Sequence, residues 1–406
     1  MKNRLSALAL LAGLAPAYNL YWANLHSHTG YSDGASTSRH AFAYARDTAL
    51  IQVLAVTDHC GGLRLDSLRW PELKAQADSA TVPGSFVGVA GYEWSIACRG
   101  HVNVFFADSL TDEVACPTVN SLYDWMYLQP TALAQFNHPI PGNYRSFAYS
   151  DSGDASVALF EMQDSNQAER YHIALDNGWH VGMAANQDNH HANWGAGNAL
   201  TGIWADSLTR PSVHAAIRAM RTFGTLDRNL TLSLFANDSW MGTTIENGKI
   251  HFRVEASDPD SLDRIAQLAI ITNGGVVLDS LVVGDTNQAV WECSTATSYA
   301  ERRYYYCRAI EVDRDRAQTS AVWTVARTGV ESGTRGARRP RIVPNPFRSS
   351  AVVAGNEVAI LRVCDAAGRT IGELRGDRFG VELAPGVYFV SAAASPSLCS
   401  RVVKIR

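Results

Sequence analysis

Nine residues of this sequence have the chemistry and the spacing to hold divalent cations. His26 and His28 flank Ser27, and residues two apart on an extended strand face the same side, so both imidazoles can reach one ion. Asp33 follows in the turn-like run Tyr31-Ser-Asp-Gly34. His59 ends Val56-Thr-Asp-His59, Glu93 sits in Gly91-Tyr-Glu-Trp94, and His101 opens His101-Val-Asn-Val-Phe-Phe106. His138 lies in Asn137-His-Pro139, and Asp188 and His190 bracket Asn189. Imidazole and carboxylate donors in this mix suit zinc, manganese or iron rather than calcium. Taken singly, each residue has an ordinary reading as a hydrogen-bonded loop or core group. Jointly, nine of them at the ends of expected strands make chance a poor account. Glycine-rich phosphate loops, a nucleophile elbow, a dinucleotide fingerprint and paired-cysteine zinc motifs are all absent from the sequence.

Elements able to position these groups can be read between Tyr18 and about Arg228. Apolar runs at Val53–Thr57, Phe86–Ala90, Leu133–Phe136, Val157–Phe160 and His180–Ala184 read as buried strands. Helix-like segments separate them, the first capped by Ser36 or Thr37 and carrying Ala41, Tyr44, Ala45 and Ala49 inward. A last helix is expected from Val213 to Thr222, ending near Gly224. Such alternation predicts an α/β architecture, either a barrel or a doubly wound sheet. In a barrel, the loops leaving the C-terminal strand ends converge on one mouth, where the candidate ligands lie. His101 is the exception, since it precedes its strand.

Beyond Asp227 the pattern becomes one of short alternating strands and turns, which predicts a β-sandwich over residues 229–327. Residues 328–341 are rich in Gly, Ser and Arg and read as a linker, followed by an all-β segment over 342–406. At the other end, Lys2 and Arg4 precede an apolar run from Leu5 to Leu14 and the small-residue site Ala15-Pro-Ala17, so residues 1–17 read as a signal peptide. No stretch is long and apolar enough to be expected to span a membrane. The expected location is therefore secreted or cell-surface. A formal net charge of −4 gives no reason to expect nucleic acid as a partner.

The ordered motifs Leu25-His-Ser-His-Thr-Gly-Tyr-Ser-Asp-Gly34, Val56-Thr-Asp-His59 and Asn137-His-Pro139 resemble those of the PHP (polymerase and histidinol phosphatase) superfamily. The resemblance implies a distorted (β/α)7 barrel over residues 18–228 holding two or three divalent ions (Zn, Mn or Fe). It implies His26, His28, Asp33, His59, Glu93, His101, His138, Asp188 and His190 as ligands, with Glu93 the bridging carboxylate. Asp58 would be an orienting group or proton acceptor beside His59, so that Asp58, His59 and Glu93 form the catalytic set. Gly91-Tyr-Glu-Trp-Ser95, Gly100-His-Val-Asn-Val104 and Arg221-Thr-Phe-Gly-Thr-Leu-Asp-Arg-Asn229 are similar to the CehA/McbA-like metallohydrolases, whose named members cleave an aryl carbamate. The order of Pro344-Asn-Pro-Phe347, Asp365-Ala-Ala-Gly368 and Leu383-Ala-Pro-Gly-Val-Tyr-Phe-Val390 resembles the C-terminal sorting domains of type IX secretion, which implies that machinery as a partner.

The expectation that follows is a secreted metal-dependent hydrolase acting on a small-molecule ester, a phosphomonoester or phosphodiester first. The alternatives are a carbamate, ester or amide hydrolase and a non-catalytic surface scaffold. Arg145, Arg99 and Arg64 are the basic residues near the motifs, with a solvated loop arginine as the ordinary reading of Arg145 and Arg99. Glu161 and Asp164 are candidates for groups that orient the ligands, and His191 and Trp194 for the pocket mouth. His40, His172, His180, His214 and His251 stand outside any motif. Of seven cysteines, Cys98 with Cys116, Cys293 with Cys307, and Cys364 with Cys399 are candidate disulfides, leaving Cys60 as a small buried residue.

Overall fold

In the computed structural model, residues 18–96, 99–297 and 302–325 are described. Of the C-terminal part, residues 341–343, 348, 351–354, 360–365, 369–375, 378–379, 383–392 and 399–404 are described. The expected signal peptide, Cys98, most of the expected linker and Pro344-Asn-Pro-Phe347 lie outside these residues, as do Ala366 to Gly368. The chain divides into two units, Met1–Thr328 and Gly329–Arg406.

The first half alternates strands and helices: β1 (Asn19–Asn24), α1 (Ser38–Asp47), β2 (Val53–Val56), α2 (Cys60–Arg64), α3 (Arg69–Ala80), β3 (Val87–Ile96), β4 (Gly100–Phe105) and α4 (Val119–Tyr127). It continues with β5 (Leu133–Asn137), α5 (Tyr144–Phe147), α6 (Asp151–Asp154), β6 (Val157–Met162), α7 (Ser165–Ala168), α8 (Tyr171–Asp176), β7 (Gly182–Ala185), β8 (Leu200–Ala205), α9 (Arg210–Arg218) and β9 (Thr222–Thr225). Of the two cap candidates for α1, Thr37 serves, its side chain accepting from the His40 N–H. Four consecutive apolar residues make β2 fully buried, as a strand covered on both faces requires.

Strands β1, β2 and β3 pair in parallel, and so do β5, β6 and β7. Between them, β4 is antiparallel to both β3 and β5. A parallel bridge between Ser27 and Asn189 joins the chain leaving β1 to the chain leaving β7. The His28 N–H donates to Asn189 O there at 2.8 Å. The two outer strands of the seven thus meet at their C-terminal ends. The antiparallel setting of β4 also explains His101: the start of an antiparallel strand lies at the same rim as the ends of its parallel neighbours.

Two local expectations are corrected. β3 runs past Ala90 through Glu93 to Ile96, because Gly91 to Ile96 pair with Gly100 to Phe105. The last helix stops at Arg218, with Met220 in the left-handed region at φ 53°, and Gly224 lies inside β9 rather than at a helix end. Its small size serves packing: a Cβ on Gly224 would stand 2.8 Å from the Ala184 carbonyl carbon of β7.

The second half is built of β10 (Thr231–Ala236), β11 (Ser239–Trp240), β12 (Thr244–Glu246), β13 (Lys249–Ser257), β14 (Ile265–Thr272), β15 (Val276–Thr286), β16 (Gln288–Ala296), β17 (Tyr304–Glu311), β18 (Arg316–Thr319) and β19 (Val322–Val325). One layer has the order β11-β10-β13-β16. The facing strands β14, β15, β17, β18 and β19 belong to the same mixed sheet of 15 strands as β1 to β9. Between the layers sit Leu232, Leu234, Phe252, Val254, Leu268, Ile270 and Trp291. The continuity arises at β18, which pairs antiparallel with β9, Gln318 facing Gly224. Ser320 adds a side-chain tie, donating to Thr222 O at 2.7 Å and accepting from the Met183 N–H at 2.9 Å. The sheet therefore runs across the expected boundary between residues 228 and 229.

Cys293 lies opposite Phe252 in one layer and Cys307 opposite Ile270 in the other, and both are free thiols, as are Cys116 and Cys364. Cys60 is buried, its thiol donating to Glu113 at 2.9 Å. The C-terminal unit consists of a sheet of order β20-β21-β24 and another of order β23-β22-β25-β26. These strands are β20 (Arg341–Val343), β21 (Ala351–Ala354), β22 (Ile360–Asp365), β23 (Thr370–Arg375), β24 (Arg378–Phe379), β25 (Gly386–Ala392) and β26 (Cys399–Lys404). Among the described residues no helix is long and apolar enough to cross a membrane.

The contact of β7 with β9 gives a stability test. Gly224→Ala drives a methyl group into the Ala184 backbone and is expected to lower unfolding stability by about 1–3 kcal/mol. Urea unfolding of the two proteins measures it, and coincident curves would mean that the strands are not packed so closely.

Candidate metal centre

All nine candidate ligands lie along one rim of the seven strands. His26 and His28 follow β1, His59 follows β2, Glu93 is in β3, His101 is the second residue of β4, His138 follows β5, and Asp188 and His190 follow β7. Glu93 is the hub, with 1% of its surface exposed. Its Oε1 lies 3.4 Å from His26 Nε2, 3.2 Å from His101 Nδ1 and 3.5 Å from His138 Nε2. Its Oε2 lies 3.4 Å from His28 Nε2 and 3.1 Å from His59 Nδ1.

Three overlapping donor groups result: His28, Asp33, His59 and His190; His26, His28 and Asp188; and His26, Glu93 and His138. In each, one donor atom per residue lies within 4.8 Å of the others. His101 belongs to none of the three; it meets Glu93 and packs edge-on against the His138 ring, centroids 4.9 Å apart. A cation fits this arrangement. The Nε2 atoms of His26 and His28 stand 3.3 Å apart, and Asp188 Oδ1, buried and without a hydrogen-bond donor, lies 3.2 and 3.1 Å from them. Nitrogen lone pairs and carboxylate oxygens converge there, and buried charge of this density requires a positive partner.

The titration of the groups follows the same logic. Burial works against ionisation of Glu93, but His26, then His101 and His138, hold its carboxyl well below the usual range. Burial likewise opposes a proton on His26, and Glu161, Asp188 and Glu93 outweigh it, raising its pKa well above the ordinary value. His138 is raised against its burial by Glu93 and Glu161, whereas burial lowers His59, where His28 and His101 add to the effect against Glu93.

Two of the candidates occupy strained backbone. His138 has φ 30° and Asp188 φ 50°, a region costing a non-glycine residue about 1–3 kcal/mol. Their surroundings hold them there. The His138 N–H donates to Glu161 Oε2 at 2.7 Å, and the carbonyl of Asp188 lies 2.9 Å from His190 Nδ1. Nearby, all four residues of the turn α5, Tyr144 to Phe147, have φ between 53° and 59°. The Tyr144 hydroxyl lies 2.6 Å from the carbonyl oxygens of both His101 and Asn137, tying the start of β4 to the end of β5.

A layer of polar groups orients the candidate ligands. Glu161 Oε1 lies 3.0 Å from His26 Nδ1, leaving Nε2 to face the cluster, and accepts from Gln135 at 3.2 Å and Asn186 at 3.1 Å. Asn137 donates to Glu93 Oε1 at 2.7 Å, and Ser95 Oγ lies 3.0 Å from His59 Nδ1. Sequence reasoning singled out Glu161 but not Gln135, Asn137, Ser95 or Asn186, whose types carry no signal of their own. Asp164, the other candidate, caps α7 by accepting from the Gln167 N–H. Trp194 is fully buried rather than at a pocket mouth, its indole donating to His28 O at 2.8 Å, while His191 is exposed.

Asp58 departs from expectation. Its carboxylate accepts from the N–H and hydroxyl of Thr29, at 2.8 and 2.7 Å, and from those of Ser32, at 3.0 and 2.6 Å. With its acceptors so engaged it makes no hydrogen bond to His59 among the described residues; it fixes the turn that carries Asp33. The arginines are engaged too: Arg64 pairs with Asp112 and Arg99 donates to Pro117 O at 2.9 Å. Arg145 is exposed on the left-handed turn.

No protein-family model matches this sequence, and no curated protein matches it. Among solved structures, it is similar to a two-domain protein containing a predicted PHP-like metal-dependent phosphoesterase from Bacteroides vulgatus, at 12% identity and TM-score 0.42, over 90% of this chain and 96% of that one. The fibronectin(III)-like modules of Clostridium thermocellum CbhA match at 14% identity and TM-score 0.17, over 24% of this chain and 96% of theirs. Dimeric latent PorU from Porphyromonas gingivalis matches at 15% identity and TM-score 0.19, over 43% of this chain and 19% of that chain.

Proposed function

We propose that this chain is a metal-dependent hydrolase of the PHP superfamily, and that the arc of seven strands, bridged at its rim, is the family's distorted (β/α)7 barrel. The observation that carries the reading is the convergence of three donor groups on a buried Glu93, with His26 and His28 shared between groups. A structural zinc site is usually closed by four ligands; a larger donor set with shared residues is suited to activating water for hydrolysis. His26, His28, Asp33, His59, Glu93, His138, Asp188 and His190 would hold two or three ions of zinc, manganese or iron, with His101 beside Glu93. Divalent ions bound there would supply an acidified water, with a pKa of about 7, and would polarise the substrate's oxygen.

The chain's own groups bind and orient. Glu161 fixes the tautomer of His26, Asn137 and Ser95 hold Glu93 and His59, and Asp58 keeps the Asp33 turn in place. His59, partly exposed, stands at the open side of the cluster, in one donor group with His28, Asp33 and His190. Three divalent ions against Asp33, Glu93 and Asp188 would leave a net positive site, which favours an anionic phosphoester. The engagement of Arg64 and Arg99 elsewhere favours the second reading, a neutral carbamate or ester of the CehA/McbA kind. Residues 1–17 as an export signal and 342–406 as a type IX sorting module complete the proposal of a secreted or cell-surface enzyme.

Elemental analysis coupled to hydrolysis of p-nitrophenyl phosphate, bis-p-nitrophenyl phosphate and aryl carbamates tests this. Two or three bound ions are expected, with phosphoester turnover lost in His59→Ala and Glu93→Ala. Turnover confined to carbamates would select the second reading, and no turnover with manganese or zinc restored would overturn both. Glu161→Gln is expected to weaken zinc affinity about 10–100-fold without unfolding, the usual cost of losing a ligand's orienting partner. Unchanged affinity would remove Glu161 from that role. Binding must also displace protons from His26 and His138, whose raised pKa values keep them protonated to higher pH than an ordinary imidazole of about 6.5. Metal affinity should therefore fall as pH drops through neutrality and recover above it; chelator competition at about pH 6 and about pH 8 would give equal constants if this were wrong.

A further inference from the structure

A second group of acidic side chains lies away from the rim, where the first half of the chain meets the sandwich. Asp227 follows β9, Asp258 follows β13, and Glu311 is the last residue of β17. One donor oxygen from each lies within 4.8 Å of the others. All three are buried, with 8%, 0% and 1% of their surfaces exposed. Asp227 Oδ1 accepts from the N–H groups of Asn229 and Leu230, at 2.8 and 3.0 Å, and Asp258 Oδ1 from Asp260 N–H at 2.6 Å. These contacts aim the carboxylates and leave the charge uncompensated. Asp258 Oδ2 and both oxygens of Glu311 are buried with no hydrogen-bond partner among the described residues.

Among the described residues no salt bridge joins a basic side chain to any of the three, and further acids stand around them. Two of these acids, Asp260 and Asp263, each bring a donor oxygen within 4.8 Å of one on Asp258. A proton does not resolve the geometry, because a protonated Glu311 has no acceptor in reach of its oxygens. A cation does. Carboxylate oxygens without imidazole or thiol donors select a hard ion, and the flexible shell of six to eight oxygens suits calcium better than the strict octahedron of magnesium.

We propose that Asp227, Asp258 and Glu311 form a calcium site that fastens the end of β9 to the β13–β14 loop and the end of β17. The site is independent of the hydrolase reading and lies on different residues. Asp260 and Asp263, which with Asp258 form an adjoining group of donors, are placed to complete the oxygen shell along with water. Bound calcium neutralises buried charge in the folded chain alone, so it stabilises by mass action.

The test uses the full-length chain, stripped with EDTA and reloaded with zinc at the rim, titrated with calcium chloride by calorimetry and followed by thermal melting. One calcium per chain is expected, with a dissociation constant on the order of 10⁻⁴ to 10⁻³ M, as in extracellular calcium modules. About 10 mM calcium should raise the melting temperature by roughly 3–6 °C. Glu311→Gln and Asp258→Asn should abolish the heat and the shift, while Glu93→Gln at the rim keeps both. No heat and no shift in the unmodified chain would overturn the site, whatever the variants do. Equal calcium response in Glu311→Gln and Asp258→Asn would overturn it as well.

Discussion

A carboxylate almost sealed from water, with five imidazoles within 3.5 Å of its oxygens, is the constraint around which the first half of this molecule is organised. An isolated anion at that depth would be far too costly to keep ionised. Glu93 stays charged because each neighbouring strand end delivers a nitrogen toward it. This delivery explains the reversed strand β4, which brings His101 to the rim, and the bridge between Ser27 and Asn189, which sets His28 against Asp188. The strain at His138 and Asp188 has the same origin, since both backbones bend toward the cluster.

Much of the candidate site was legible in the sequence because imidazoles and carboxylates are rare enough at strand ends for their spacing to mean something. His26 and His28 announce themselves by alternation alone, and Asp188 and His190 by standing just past an apolar run. What the sequence did not disclose is the layer behind the candidate ligands. Asn137, Ser95, Gln135 and Asn186 are common residues whose role depends on register across strands far apart in the chain. Asp58 misled for the converse reason: next to His59 in sequence, its side chain turns toward the Thr29–Ser32 loop, where four donors await it.

In the fold, apolar runs located five of the strands within a few residues, and a capping residue located the start of α1. β8 escaped because its burial comes from pairing with β1 rather than from a long apolar run. Gly224 was misread because a glycine after an amphipathic segment is a sound stop signal, whereas here the close approach of β7 demands it. The seam between the two halves left no trace in composition at all. A strand pairing such as β9 with β18 is a contact between distant segments, and neither segment carries a mark of the other.

That seam has a consequence for how the molecule can change. Where two modules are joined by a tether, each can drift, be exchanged or be lost without disturbing the other. Here a single ladder passes from β8 through β9 to β18, and Ser320 reaches across it to Met183. Removing everything past residue 228 would bare the outer edge of β9, an open row of backbone donors and acceptors that invites another chain to add itself. The β-rich half therefore belongs to the same compact unit, and the edge of β9 is covered only as long as β18 lies beside it.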